Sequence, residues 1–411
     1  MAQSVLGSLA LHYRALWSRR RQLAGLQLFA HEESPGADGG HLLRTVSELW
    51  SAQSPHLLLS PATPSLLESV LAHADAQSPQ IDVPAAWLRR GGITAAVRRA
   101  HERGASMLVS GDAASLQALA GATGLFTHVC VVLGEQDAAQ ALRVAMQLRE
   151  DVARGRFGTR PDSPSPVTAG SLVAGAAGTA LVQHALDQQG AWAVAGWPTE
   201  DVLHGMRART LHPGRRAILR VMNALDRELP LEAIEHALAR DATLAYRLLS
   251  YLNSAGLGLR GGVASLRHGV MMMGHRPLNG WLAEQLTTAA DDRDLDPIHV
   301  ALGLRAALAA ELMDAGLEQE LQSEVFLTAM FSQLDLLQSQ PLRTLLARIP
   351  LPERMPDALL RGTGPYAGVL QLARALEGEQ PAALRQARET AGVGLEECNR
   401  ALLRVLAQAS D

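Results

Sequence analysis

Among the 41 acidic residues and 14 histidines of this sequence, three carboxylates and three histidines stand where metal or acid–base chemistry is worth weighing. Asp82, Asp112 and Glu135 each lie in or close behind a short apolar run. In a parallel sheet the C-terminal ends of such runs gather at one rim. Ser110 and Gly175 fall at comparable positions. A phosphodiester-cleaving site with two divalent ions needs several converging carboxylates and a group that positions or deprotonates water. Three scattered acids could assemble one weak site of that kind, and on the sequence they read more simply as solvated loop acids. His268 and His275 stand seven residues apart, with His299 further on, but Gly274 should end the helix between the first two. Neither an HD dipeptide nor a His-Glu-x-x-His pattern occurs, and the histidines read as surface or satisfied core residues. The stretch AGAAG (Ala174–Gly178) is rich in glycine but lacks the spacing and the lysine of a phosphate-binding loop. No cofactor and no metal are expected.

The elements that must position these residues are bounded by composition. At 411 residues the chain exceeds one ordinary core, so two domains are expected. Hydrophobic residues make up 47% and aromatics 4%, with abundant Ala and Leu, which supports folded and largely helical domains. A formal net charge of -4 gives no basic field for nucleic acid and no polybasic membrane patch. The clusters WSRRRQL (Trp17–Leu23) and WLRRGG (Trp87–Gly92) read as solvated surface. Two distant cysteines, Cys130 and Cys398, exclude a disulfide framework and a four-cysteine zinc site, and they fit a reducing cytosol. The N-terminus lacks the basic region of a signal peptide, and no run approaches the roughly 20 apolar residues of a membrane helix. A cytoplasmic protein without membrane insertion is expected.

From about residue 55 to 200, short apolar runs alternate with helical ones. HLLLS (His56–Ser60), IDV (Ile81–Val83), SMLVS (Ser106–Ser110), HVCVVL (His128–Leu133), SLVAG and AWAVAG (Ala191–Gly196) are the strands. Alternation of this kind predicts a parallel sheet wrapped by helices, with enough units for a barrel or a partial one. TRPDSPSPVTAGS (Thr159–Ser171) reads as a loop within this domain. Beyond Gly196–Gly214 the apolar runs change period. RRAILRVMNALDRELPLEAIEHALARD gives two helices broken at Pro230, with Ile218, Val221, Met222 and Leu225 on one stripe. Asp241 is the expected N-cap of a helix whose Leu244, Leu248, Tyr251 and Leu252 share a face. NSAGLGLRGG closes it, Ser265 caps the next helix, and the methionines of HGVMMMG are expected to fill core gaps. Pro277 suits the start of the helix after that.

The segment LARDATLAYRLLSYLNSAGLGLRGGVASLRHGVMMMGHRPLNGWL resembles the HDOD domain, a helical module related to HD phosphohydrolases that typically lacks their metal site. Asp241, Leu244, Arg247, Leu248, Leu249, Asn253, Ser254, Ala255, Gly258, Leu259, Ser265, Gly274, Trp281 and Leu282 carry the resemblance, with Ala242 and Leu257 replacing a usual proline and phenylalanine. The likeness continues through EVFLTAMFSQLDLLQSQPLRTLLARIPLPERMPDALLRGTGPYAGVL, as in two-domain members of that family.

Those members carry an EAL domain before the HDOD module, a barrel that in active form hydrolyses cyclic di-GMP. The first 200 residues resemble a degenerate copy. HYRALWSRRRQLAGLQLFAHEE puts Gln27 at the signature glutamate, and PHLLLSP puts Leu59 at a metal-binding asparagine. QIDVPA leaves Asp82 for a glutamate, and GASMLVSGDA sets Ser110 and Gly111 where two aspartates belong, with Asp112 reached by a shift of one. SLVAGAAGTALVQHALDQQGAWAVAGW replaces a Glu, a Lys and a Glu by Gly175, Ala176 and Gly178.

The resemblance therefore implies an α/β degenerate TIM-like (EAL-type) barrel at 1–203, followed by an all-α HDOD helical domain at 204–411. It implies a non-catalytic signalling protein of a bacterial cytosol, the barrel acting as sensor or docking platform and the helical half contacting an unidentified signalling protein. The alternatives are a cyclic di-GMP phosphodiesterase using Asp82, Asp112 and Glu135, or an effector that binds the nucleotide without cleaving it. Whether nucleotide binding persists is left open.

Overall fold

The computed structural model describes residues 4–34, 36–119, 123–156, 161–207, 211–254, 262–313 and 319–409. They form two compact units. One comprises Met1–Asp201 with Leu376–Leu384 and Gly394–Asp411; the other comprises Val202–Ala375 with Arg385–Val393. The sequence reading set its boundary at 203/204, and the contact units divide after Asp201. The helical domain was expected to run to residue 411, whereas 376–384 and 394–411 group with the first unit.

In the first unit eight strands close a barrel in sequence order: β1 (Leu9–Ser18), β2 (Leu23–Glu32), β3 (Leu57–Pro61), β4 (Gln80–Pro84), β5 (Met107–Gly111), β6 (His128–Val132), β7 (Leu172–Ala174) and β8 (Ala193–Ala195). The six runs read as strands from the sequence are β3 to β8. From β2 to β8 neighbours are parallel, with Leu59 beside Ile81, Asp82 beside Leu108 and Ser110 beside Cys130. β1 precedes the runs at 55–200 from which the parallel sheet was expected. It runs antiparallel to both β2 and β8, because a tight turn at Arg19–Gln22 returns the chain directly alongside. A helix at Gly39–Leu49 that the sequence reading did not assign joins β2 to β3, capped by Asp38, whose carboxylate accepts from the Gly40 and His41 amides.

Side chains of a strand alternate between faces. The inner face stacks Leu16, Leu58, Leu108, Cys130, Leu172, Ala174, Ala193 and Ala195 into a buried apolar layer. At the N-terminal strand ends Gln80 is buried and donates to Thr127 Oγ1 (2.8 Å), while its amide also meets His128 Nδ1 (2.9 Å) and His56 Nε2 (3.1 Å). Trp192 lies against both histidine rings, so that end of the barrel is filled.

β1 and β8 pair only at Leu16–Ser18, leaving the upper edge of β1 without a strand partner on that side. The C-terminal helix Leu395–Ala407 takes it up. Asn399, fully buried, accepts from the Leu11 amide (3.2 Å) and donates to the Leu9 (2.6 Å) and Leu6 (2.7 Å) carbonyls. Its amide reproduces the donor and acceptor pattern of a neighbouring strand. This is the physical reason that the chain end belongs with the barrel.

The second unit is helical. Helices at Arg215–Asp226 and Leu231–Leu238 break at Pro230 as expected, and Ile218, Val221 and Leu225 are buried. Asp241 caps Ala242–Leu252, and Ser265 caps Leu266–Met273, which ends at Gly274 with φ 75°. Two packing expectations are corrected. Met271 and Met272 are 59% and 50% exposed, since their helix turns Leu266, Gly269 and Val270 inward instead. Tyr251 is exposed and lies against the Trp281 ring at 5.9 Å rather than in the core. No helix among the described residues is long and apolar enough to cross a membrane.

Candidate functional site

Besides the Gln80 group at the N-terminal ends, a second set of polar residues inside the barrel gathers above the apolar layer, towards the C-terminal ends of β2–β8. Because β1 is antiparallel, its inward residues climb in the opposite sense: Leu16 in the apolar layer, then Arg14, then His12. Arg14 pairs in register with Gln27, and His12 with Phe29. Gln27, buried, donates through Nε2 to Ser60 Oγ at 2.9 Å, and Ser60 donates to Asp82 Oδ2 at 2.9 Å. The chain Gln27–Ser60–Asp82 thus crosses three adjacent strands. Burial pushes the Asp82 carboxyl up, against the opposing pull of the Ser110 and Ser60 hydroxyls. Burial thus works against the charged form of this carboxyl, and the two hydroxyls work for it. Burial, and next the nearby Asp82, push the Cys130 thiol far up, so it is no nucleophile at neutral pH. Gln27 Oε1 and Asp82 Oδ1 face this interior without hydrogen-bond partners.

Arg14 is the cation of the site. Its guanidinium lies 5.3 Å from the Phe29 ring centre and forms an ion pair with Glu379. Gly196 lies beside it, held as glycine by its φ of 80° and not by space, since a Cβ there would meet Arg14 Cδ at an ordinary 3.5 Å. One position nearer the rim, His12 is fully buried and meets the His31 ring edge-on at 5.3 Å. Burial, reinforced by His31, lowers His12 to about 4, with the Gln380 backbone opposing.

The residues expected at ligand positions divide by face. Gln27, Asp82 and Ser110 lie on the inner face together. Leu59 does not: it shares the outer face of β3 with Leu28 and Ile81, and Ser60 is the inward residue beside Gln27 and Asp82. Gly111 also faces outward, where a Cβ would meet Ala85 and Ser115. Asp112 is exposed and caps Ala113–Gln117 by accepting from the Ser115 amide (2.7 Å). Glu135 is exposed at the start of Glu135–Ala153. Asp82, Asp112 and Glu135 are not brought together; among the described residues no three His, Cys, Asp or Glu side chains are arranged to hold a metal ion.

Gly175 has φ 80°, and a Cβ there would stand 2.7 Å from the Leu133 carbonyl oxygen, so this backbone excludes a glutamate. Ala176 and Gly178 lie in the loop after β7. There Asp201 Oδ2 accepts from the amide and hydroxyl of Thr179, both at 2.7 Å, capping the next helix.

In the helical unit the residues of the HDOD-like pattern act on the backbone. Asp241 Oδ1 accepts from the Leu244 amide (2.8 Å) and Oδ2 from the Gly214 amide (2.9 Å). His299 Nδ1 stands 3.8 Å from Asp241, buried and without a hydrogen bond, while His268 and His275 are exposed. Arg247 donates to Gln285 Oε1 (3.1 Å). Asn253 donates to the Leu249 (2.7 Å) and Val263 (2.8 Å) carbonyls and accepts from the Val263 amide (2.8 Å), clamping the two ends of the connection. Ser254 donates to the Tyr251 carbonyl (2.7 Å), and Trp281 is buried. Gly258 lies outside the described residues. Arg14, Ser60, Glu379 and Asn399 were missed on the sequence. Strict alternation along LALHYRAL, with Leu16 inward, would have placed Arg14 and His12 inside.

No family model matches the chain. The uncharacterized protein YuxH of Bacillus subtilis (strain 168) is 25% identical over 162 residues, 38% of this chain and 39% of YuxH, so the match spans well under half of that protein's length. Among solved structures, the MmoQ response regulator of Methylococcus capsulatus str. Bath has a TM-score of 0.41 at 20% identity, covering 48% of this chain and 99% of that one. Klebsiella pneumoniae BlrP1, as a manganese/cy-diGMP complex, has a TM-score of 0.30 at 11% identity, covering 48% and 55%. Neither likeness is close enough to transfer a residue role.

Proposed function

We propose that this chain is a non-catalytic signalling protein of the two-domain EAL–HDOD type, its barrel a sensor or docking platform and its helical half the contact for a partner protein. The observation that carries the reading is the Gln27–Ser60–Asp82 chain. Where a hydrolase would converge carboxylates on metal ions, this barrel places an amide, a hydroxyl and one carboxyl that burial biases towards neutrality. Cys130 is held as a thiol beside it, and Asp112 and Asp201 are committed to capping helices. In the helical half Asp241, Asn253 and Ser254 are committed to backbone amides and carbonyls, which supports a binding scaffold over a reactive centre.

The test is incubation of the full chain with cyclic di-GMP and magnesium or manganese, followed by chromatography for the linear product. No product is expected. Metal-dependent turnover abolished by Asp112→Asn would reject the reading in favour of a phosphodiesterase. Binding without cleavage is the second reading, favoured by Arg14, a cation facing the barrel interior; it predicts nucleotide retention that Arg14→Gln abolishes.

A further inference from the structure

The chain passes from the helical unit into the barrel unit at Leu376, returns after Leu384, and enters the barrel unit again at Gly394. The first of these visits is short, and it brings Glu379 to Arg14 and the Gln380 backbone to His12. Arg14 and His12 are successive inward residues of β1, and His12 is the nearer to the C-terminal rim. Residues 379 and 380 therefore reach inward-facing groups at the barrel end opposite Gln80 and Trp192. A partly buried guanidinium is favoured by an anionic partner. Here the chain supplies its own, through a contact that retains solvent access: the Glu379 side chain is 45% exposed and that of Arg14 27%.

We propose that residues 376–384 form a displaceable internal plug, with the Glu379 carboxylate as resident occupant of an anion subsite built on Arg14 at the C-terminal mouth of the barrel. A carboxylate or phosphate oxygen presented from outside competes for the same guanidinium face. The plug is continuous with two helices, Ala367–Leu376 before it and Pro381–Ala391 after it, most of whose residues belong to the helical unit. Displacing Glu379 therefore acts through the chain on the half assigned to partner contact. The proposal rests on the sensor reading above and deepens it by naming the switch.

Hydrogen exchange of the full chain tests it. Glu379→Gln keeps the shape and removes the charge at a half-exposed position, so the fold should be retained. Amides of 377–384 should then exchange roughly tenfold faster, with those of β3 and β5 unchanged. Inorganic pyrophosphate, used as the probe anion, should bind Glu379→Gln roughly tenfold more tightly than the unaltered chain, because the open mouth no longer has to be selected. The gain should vanish in Arg14→Gln/Glu379→Gln. Equal exchange, or equal pyrophosphate binding that includes no binding to either protein, overturns the plug. None of these readouts involves turnover of cyclic di-GMP, so a failed plug and a failed non-catalytic reading are distinguishable.

Discussion

Replacing Asn399 by leucine should uncouple the C-terminal helix from β1. The change removes three hydrogen bonds, one from the Leu11 amide and two to the Leu6 and Leu9 carbonyls. Leu11 is fully buried, so its amide loses its partner where water does not reach, at a cost of about 1–3 kcal/mol. Each carbonyl keeps a second lone pair and loses less, about 1 kcal/mol apiece. The sum is about 3–5 kcal/mol, a large share of the roughly 5–15 kcal/mol that holds a domain together. Urea unfolding of the full chain, followed by fluorescence of the buried Trp17 in β1, should show the barrel transition moved to lower urea. The helical transition, followed by far-ultraviolet circular dichroism, should stay in place. Asn399→Asp sharpens the argument. It keeps the acceptor for Leu11 but sets a carboxylate against two carbonyls, so it should be at least as damaging at pH 7. A loss below about 1 kcal/mol for Asn399→Leu would refute the reasoning, by showing that the free edge of β1 finds its partners elsewhere.

Three further outcomes are expected. Burial holds His12 at about 4 instead of 6.5, so between those values the folded chain binds fewer protons than the unfolded one. Stability present above pH 6.5 should fall by up to about 3 kcal/mol as pH drops towards 4; Asp82, shifted up, acts in the opposite sense, and the difference between the unaltered chain and His12→Phe isolates the histidine. An identical pH slope in the two proteins would refute it. Asn253→Ala should lower the melting point of the helical unit by removing about 2–4 kcal/mol, and Ser254→Val by less, since Asn253 ties three backbone groups and Ser254 one; equal effects would contradict the clamp. A fragment of residues 202–393 should melt cooperatively, whereas one extended to 411 exposes Leu402, Leu403 and Leu406, buried in the full chain, and should self-associate in sedimentation experiments.

How much of this was legible in the sequence follows from what each feature depends on. The strands from β3 to β8 could be read because an apolar run of about five residues followed by an amphipathic helix is a local signal. So were the caps at Asp241 and Ser265, which act three residues away. The direction of β1 depends on a turn and a pairing, and no local property of LALHYRALWS encodes it. Leu59 was placed at a ligand position by resemblance, and its side chain lies on the outer face of β3. In a strand one residue is one face, so Leu59 points to the helices while Ser60 joins Gln27 and Asp82.

The contacts that give the barrel its individual character were out of reach for a different reason. Asn399 and Leu11 are 388 positions apart, and Glu379 is almost as far from Arg14. A buried asparagine within LEECNRALLRVLA is indistinguishable by type from a solvated one, and Glu379 in EGEQP has the composition of any exposed turn. Both acquire meaning only when the end of the chain comes back to its first strand. The two returns also share a logic. The edge of β1 that β8 leaves unpaired is satisfied by one tail segment, and the cation that β1 carries inward is neutralised by the other. The first strand thus depends on the last residues for both its backbone and its charge. A chain cut before residue 376 would therefore lose both of these tail contacts of β1, which makes the C-terminal segments part of the barrel unit and not an appendage to the helical half.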